Sequence, residues 1–260
     1  MLKRVSYLDS ELASVLPPEG EPITNLVKLV DAMGRVAALA SEVGLPHIGR
    51  GFYGYQRVTK NTADRLDKGF FDDADKIART MPVFAELAFK PLRHHINGET
   101  DQVGAWSPMY YSQRSISAPD SINMSEFLRA HVDRDLAFAL LATDTQDKHR
   151  SDYTEKMNII LAETGRELMP EFVQVKSPFR QLGAEKIGLE LVLRDLYNAR
   201  DKAWDAFIEL RSAGEDQDQI DLIDGRLSKK AASGLLSNNR LISYVINKTT
   251  NTPLQIDTIR

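Results

Sequence analysis

A histidine and an aspartate four residues apart form the most chemically informative pair in this sequence. His131 and Asp135 lie in a segment with helical spacing of apolar residues, namely Leu128, Val132, Leu136, Ala139 and Leu140. Counting along that apolar stripe in steps of three and four residues also reaches His131 and Asp135, so a helix here directs both side chains inward. Buried polar groups need partners, and this spacing permits either a His–Asp hydrogen bond or shared ligation of a metal ion.

Three roles are open to this pair on the sequence alone. The two side chains could form a polar clamp that holds two helices together. The aspartate could instead orient the imidazole and raise its basicity, which makes His131 a general acid or base. Both residues could also ligate one divalent metal ion in a metal-assisted hydrolase.

Other residues are candidates for contacts with a substrate. Tyr55 and Arg57 could direct a phenol and a cation into one pocket, and Asp152 starts a predicted helix close to the pair in sequence. An aromatic-rich segment over 93–121 has no periodicity and is expected to be a long loop that acts as a lid. The candidate substrate-binding residues are Tyr55, Arg57, Trp106, Tyr110, Tyr111 and Asp152.

The elements that must position these residues are helices. Helical apolar spacing predicts about seven of them, near 23–43, 55–68, 72–90, 123–143, 152–167, 184–213 and 219–247. A glycine-rich connector is expected over 47–54, and residues 1–21 are expected to form an N-terminal arm. No segment alternates with a period of two, so the sequence predicts an all-α single domain over 1–260 with an enclosed apolar pocket.

Composition excludes several classes of protein. The chain has 260 residues, a net charge of −4 and no cysteine, which excludes disulfides, thiolate nucleophiles and iron–sulfur clusters. The acidic balance argues against nucleic acid as a partner. There is no apolar run long enough for a signal peptide or a membrane span, so a cytoplasmic location is expected. Association into a homo-oligomer is compatible with the sequence.

Several segments, in this order along the chain, resemble an uncharacterised, mostly bacterial, all-helical family of unknown function. Its pattern has an early Tyr-x-x-Val-Thr helix, a Gly-Phe-x-Asp turn, a Phe-Ala helix and a central Ala-His-Ile/Val-Asn-x-Asp-Leu helix. An Asp-aromatic pair with an asparagine and an Ala-Arg-x-x-Ala-Trp segment follow. The matching residues here are 55–59, 69–72, 84–85, 130–136, 152–158 and 199–204. The chain departs from the pattern at Asp133, where the family usually has asparagine. The resemblance implies the helical fold and the importance of the central motif, and brings no activity.

The central helix is also similar to that of zinc-dependent phospholipases C and single-strand nucleases. Members of that group carry a His-x-x-x-Asp-Leu helix whose histidine and aspartate bind zinc, which His131, Asp135 and Leu136 match. The further histidine that the group has soon after the aspartate is absent here. The similarity therefore implies one metal ion at most.

These observations predict an enzyme that acts on a largely hydrophobic small molecule. His131 would be the general acid or base and Asp135 would orient it, in a cyclisation, elimination or hydrolysis of the kind found in lipid, isoprenoid or polyketide metabolism, without a cofactor. The alternatives are the metal-assisted hydrolase with His131 and Asp135 as ligands, and a non-catalytic binding or assembly module.

Overall fold

The first two long helices form an antiparallel pair. The computed structural model describes residues 10–99, 104–111, 127, 130–172 and 178–231. After a helical turn at 10–15, helix α1 spans Leu26–Glu42 and helix α2 spans Pro46–Leu66. The side chain of Asn25 accepts a hydrogen bond from the Lys28 amide and caps α1, while Pro46 occupies the first turn of α2, where its missing N–H costs nothing.

The predicted connector at 47–54 is wrong, because those residues are the first turns of α2. The glycines there serve close packing and not a turn. A Cβ on Gly49 would lie 2.5 Å from the carbonyl oxygen of Ala37 in α1, and a Cβ on Gly51 would lie 2.1 Å from a ring carbon of Phe127. These contacts exist only because both positions lack a side chain.

Helix α3 spans Ala74–Ile96 and continues past both of its prolines, Pro82 and Pro91. Asp73 caps it by accepting a hydrogen bond from the Lys76 amide at 2.9 Å. The predicted end at 90 is therefore too early, and the first residues of the expected 93–121 loop belong to this helix. The buried side chains of Leu92 and His94 extend its packed face beyond Pro91.

Within the rest of that expected loop, the described residues are helical. A 3₁₀ turn at Gly104–Trp106 runs into helix α4, a single turn at Ser107–Tyr111. Residues 100–103 and 112–121 lie outside the described part of the chain. The role of the segment as a lid stays a prediction.

The central and C-terminal helices complete the domain. A wide π-helical turn at His131–Asp135 continues into α5 at Leu136–Ala142, and a second one at Asp152–Lys156 continues into α6 at Met157–Phe172. Helix α7 spans Pro178–Ala213 and α8 spans 217–231. Helix α7 packs against α5, α6 and the π turn at His131.

The described residues contain no strand, and their buried apolar side chains form one core that extends from Leu12 to Ala231. This confirms the predicted all-α single domain. Among the helices of the described ranges, none combines the length and the apolar character that crossing a membrane requires.

Candidate functional site

The π turn brings His131 and Asp135 to the interior, as predicted. His131 is 1% exposed and Asp135 is 0% exposed. A π-helical turn has more residues per turn than an α-helix, and such turns occur frequently at functional sites. The pair therefore lies on the buried side of a helix whose backbone departs from α geometry at these five residues.

Asp135 fixes the orientation of the imidazole through the ring nitrogen Nδ1. Its Oδ2 atom lies 3.0 Å from Nδ1 of His131 and accepts a hydrogen bond from the Trp106 indole at 3.1 Å. Its Oδ1 atom accepts a hydrogen bond from the Arg134 guanidinium at 3.0 Å. The Trp106 indole and the Arg134 guanidinium both donate to this carboxylate, and a carboxylate only accepts hydrogen bonds, so the proton between His131 and Asp135 belongs to Nδ1.

The other ring nitrogen of His131 has no partner among the described residues. Nε2 is buried, and no described residue forms a hydrogen bond with it. With the proton on Nδ1, Nε2 carries an unshared electron pair in an environment shielded from water. This is the arrangement of a base whose orientation is set by a carboxylate on its far side.

Aromatic rings surround the imidazole. The Phe84 ring stacks on it with centroids 3.6 Å apart, and the Tyr55 ring meets it edge-on at 4.7 Å. Trp106 lies at 5.7 Å and Phe127 at 6.3 Å. The surroundings of the pair are thus apolar, as the sequence predicted, while the enclosed pocket beside it stays a prediction.

This burial decides the charge of the imidazole. Desolvation lowers the pKa of His131, and the hydrogen bond and charge of Asp135 oppose that effect without cancelling it. Burial and the charge of Asp135 also raise the pKa of Tyr55 well above its usual range. At neutral pH, His131 is therefore a neutral imidazole next to a protonated phenol.

Arg134 links the pair to helix α8. Its guanidinium donates to Asp224 through Nε at 2.6 Å and through Nη2 at 2.9 Å, and Nη1 reaches Asp135. Burial opposes the charge of Arg134, but the bond to Asp224 and the charge of Asp135 outweigh it and raise the pKa of Arg134. The sequence analysis missed this ion pair, because 90 residues separate its partners and nothing local connects them.

Of the predicted substrate-binding residues, Tyr55 and Trp106 lie at the pair and Arg57 does not. The Arg57 guanidinium forms an ion pair with Glu167 at 3.2 Å, and both side chains are over a third exposed. The Tyr110 ring stacks on His95 at 4.6 Å. The side chain of Tyr111 lies outside the described residues. Arg57 and Tyr110 are therefore placed in contacts with other parts of the domain.

Asp152 has a different environment from the one expected of a substrate ligand. Its two carboxylate oxygens accept hydrogen bonds from the backbone amides of Asp72 and Asp73, each at 2.9 Å. Lys156 lies 2.8 Å from the same carboxylate. Asp152 thus fastens the turn before α3 to the second π turn, which is a structural contact.

Phe84 and Phe127 complete the surroundings of the pair, and Arg200 is a buried residue of α7, which packs against the π turn. These three residues were not among the predicted site residues. Phe84 lies in the Phe-Ala segment and Arg200 in the Ala-Arg segment of the family pattern, so their place in that pattern was the available signal. Phe127 is one helical turn before His131, on the same face.

The grouping of histidine and acidic side chains bears on the metal-binding alternative. Within residues 10–99, 104–111, 127, 130–172 and 178–231, no three histidine or acidic side chains are grouped so that they could hold a metal ion. The shared-ligand alternative for His131 and Asp135 stays a prediction, as do the cytoplasmic location and a homo-oligomer.

Comparisons with known proteins address the family and not the activity. Neither the curated proteins nor the solved structures include a match to this chain. A model of a family of unknown function (DUF5995) matches residues 31–237, which is most of the chain and contains both π turns. The predicted resemblance to an all-helical family of unknown function is thereby confirmed: the chain belongs to the DUF5995 family.

Proposed function

We propose that this protein is an enzyme that uses His131 as a general base and acid on a largely hydrophobic small molecule. One observation carries the proposal. Nε2 of His131 is buried and without a partner, while Asp135 holds Nδ1 at 3.0 Å. Leaving a polar atom buried without a partner costs free energy, and a functional role is one explanation for keeping it.

The proposed step is a proton transfer at one atom. Nε2 takes a proton from the substrate, or from the attacking water molecule in a hydrolysis, and the imidazolium that forms is stabilised by Asp135 through the Nδ1–H hydrogen bond. The proton then returns from Nε2 to the product or to the leaving group. A cyclisation, an elimination or a hydrolysis would each use such a step, and none of them needs a cofactor for it.

The surroundings of His131 favour an apolar reactant. Phe84, Tyr55, Trp106 and Phe127 place aromatic carbon around the imidazole. Such rings bind hydrophobic molecules by burying their surface, and they exclude the water that would hydrate Nε2.

The experiment compares wild type with His131→Gln. Each purified full-length protein is incubated with a fractionated extract of hydrophobic metabolites, and mass spectrometry follows the molecules that are consumed and formed. We expect wild-type turnover that falls at least about 100-fold in His131→Gln. The matched control is His47→Gln. His47 is equally buried and its Nδ1 has no partner among the described residues, but its other nitrogen, Nε2, donates to the Met109 carbonyl and not to a carboxylate. An active His131→Gln protein would refute the proposal.

A non-catalytic role has one observation in its favour. Phe84 packs directly on the imidazole, which is also how a structural histidine would be held. If the pair only fixes helix register, replacing His131 and Asp135 together by Leu is expected to lower the free energy of unfolding by no more than the lost acceptor of the Trp106 indole explains, about 1–3 kcal/mol. The enzymatic proposal expects the same double variant to lose all turnover.

The metal-assisted alternative is tested by elemental analysis. It requires both Asp135 and His131 to face one ion, whereas the Asp135 oxygens accept from Trp106, Arg134 and the imidazole. Near-stoichiometric zinc or another divalent metal in wild type, lost in His131→Gln, would favour the hydrolase with His131 and Asp135 as ligands.

A further inference from the structure

Arg200 is a buried cation in α7, the helix that packs against the π turn at His131. The residue is 4% exposed, and its Nε donates to the Tyr153 carbonyl oxygen at 2.8 Å. Nη2 donates to the same oxygen. Tyr153 belongs to the second π turn, so a backbone carbonyl of that turn fixes the orientation of the guanidinium.

Among the residues that the structure describes, the charge of Arg200 has no buried counter-ion. Across the described ranges, Arg200 forms no ion pair. The carboxylate whose charge raises the pKa of Arg200 belongs to Asp201, which is exposed. Burial lowers the pKa of Arg200 to about 10. Arg134 shows the opposite case, since it faces both Asp135 and Asp224. Burying a charge without a partner is costly, and a bound anion would remove that cost.

The charges of Asp135 and Arg200 both act on Tyr55. Burial and the charge of Asp135 raise the pKa of the Tyr55 hydroxyl, and the charge of Arg200 lowers it. The Tyr55 ring lies 4.7 Å from that of His131, and α7, which carries Arg200, packs against the π turn at His131. A molecule with one end at the guanidinium would therefore have its body on the side of Tyr55 and His131.

We propose that Arg200 binds the carboxylate of the substrate and so places the hydrophobic body of that molecule against His131. This inference rests on the proposed function and narrows its substrate to a hydrophobic carboxylic acid. A carboxylate carries one negative charge, which balances the one positive charge of Arg200, and its two oxygens suit the planar guanidinium. A phosphate monoester would bring a second negative charge, one more than the single guanidinium of Arg200 matches.

The test measures binding to the full chain by titration calorimetry. The probes are dodecanoate, dodecanol and dodecyl phosphate, which share one apolar chain. Wild type is expected to bind dodecanoate at least about tenfold more tightly than dodecanol. Arg200→Met is expected to lose that difference, while Arg57→Met, which removes a guanidinium paired with Glu167, keeps it.

A measurement on wild type alone covers the case in which Arg200→Met does not fold. The NMR signal of the Arg200 Nε–H group is expected to shift on addition of dodecanoate and to stay unchanged with dodecanol. Equal affinity of wild type for dodecanoate and dodecanol, or an unchanged signal, would overturn the inference. Tighter binding of dodecyl phosphate than of dodecanoate would overturn the carboxylate assignment.

His131→Gln separates this inference from the proposed catalysis. If Arg200 binds the carboxylate, His131→Gln keeps the preference for dodecanoate whether or not it has lost turnover. Retained turnover together with that preference would end the catalytic role of His131 and leave a carboxylate-binding protein. Loss of the preference in His131→Gln would count against Arg200 as the binding group.

Discussion

The indole nitrogen of Trp106 lies 3.1 Å from the same Asp135 oxygen that faces His131. The two residues are 29 positions apart, and their hydrogen bond fastens the short helical segment at 104–111 to the π turn. Trp106 therefore keeps the carboxylate aligned with the imidazole, and Asp135 holds the short segment at 104–111.

Trp106→Phe is expected to weaken the fold through this hydrogen bond. The variant keeps an aromatic ring but removes a donor to a buried carboxylate, which costs about 1.5 kcal/mol beyond the lost packing. Trp204→Phe is the control for packing, because Trp204 is also buried but contacts Phe207 and Tyr153. Urea unfolding of both variants measures the difference. Equal losses would show that the hydrogen bond contributes nothing.

Asp135→Asn is expected to damage both stability and activity. Asparagine has one acceptor oxygen where the carboxylate serves three donors, so its amide group faces at least one of them. We expect a loss of about 3 kcal/mol in the free energy of unfolding and a fall in turnover of at least about 100-fold.

Asp224→Asn is the matched comparison for Asp135→Asn. It changes the second carboxylate that pairs with Arg134. The Asp224 side chain is 34% exposed and belongs to α8. We expect a loss of about 1 kcal/mol at most and turnover close to wild type. A larger effect from Asp224→Asn than from Asp135→Asn would contradict the roles given to the two carboxylates.

Stability is expected to fall as the pH drops below about 6.5, the usual value for histidine. Burial lowers the pKa of both His47 and His131, so the unfolded chain binds protons that the folded chain does not. Their contribution is complete above the unfolded pKa and is lost as the pH falls toward the folded values, by up to about 1.4 kcal/mol per pH unit for each histidine.

Urea unfolding between pH 8 and pH 5 measures this dependence. His47→Gln should reduce the slope by about half and leave the part that belongs to His131. A free energy of unfolding that rises toward pH 5 would mean that the folded state holds His131 as an imidazolium paired with Asp135.

Two glycine substitutions are expected to change the stability of the fold in opposite directions. Gly51→Ala places a methyl group 2.1 Å from the Phe127 ring and should cost about 1–3 kcal/mol. Gly225→Ala, in α8, meets nothing within 4 Å and should stabilise the helix by about 0.5–1 kcal/mol. Thermal unfolding of both variants checks the pair. A neutral Gly51→Ala would show that Phe127 is free to move away from its position beside His131.

The helical fold and the inward direction of His131 and Asp135 follow from apolar spacing, which is a local property of the sequence. The connector at 47–54 was misread because Gly49 and Gly51 act as contact points for Ala37 and Phe127, and partners distant in sequence leave no local signal. The end of α3 was misread because packing of Leu92 overrides the local effect of Pro91.

The site shows the same division between local and distant information. The spacing of His131 and Asp135 was enough to predict their contact. The hydrogen bond from Trp106 to Asp135 and the ion pair of Arg134 with Asp224 depend on tertiary packing. The π geometry at 131–135 was not predicted, because helical periodicity in the sequence does not distinguish one wide turn from an α-helical turn.

The most direct test of the central claim is the protonation state of His131 in the folded protein. Nitrogen-15 NMR of the histidine-labelled full chain at pH 7.5, with His131→Gln to assign the signal, reports each ring nitrogen separately. A neutral ring with its proton on Nδ1 and a bare Nε2 is the predicted result. A proton on Nε2, whether in the other neutral tautomer or in an imidazolium, would contradict it.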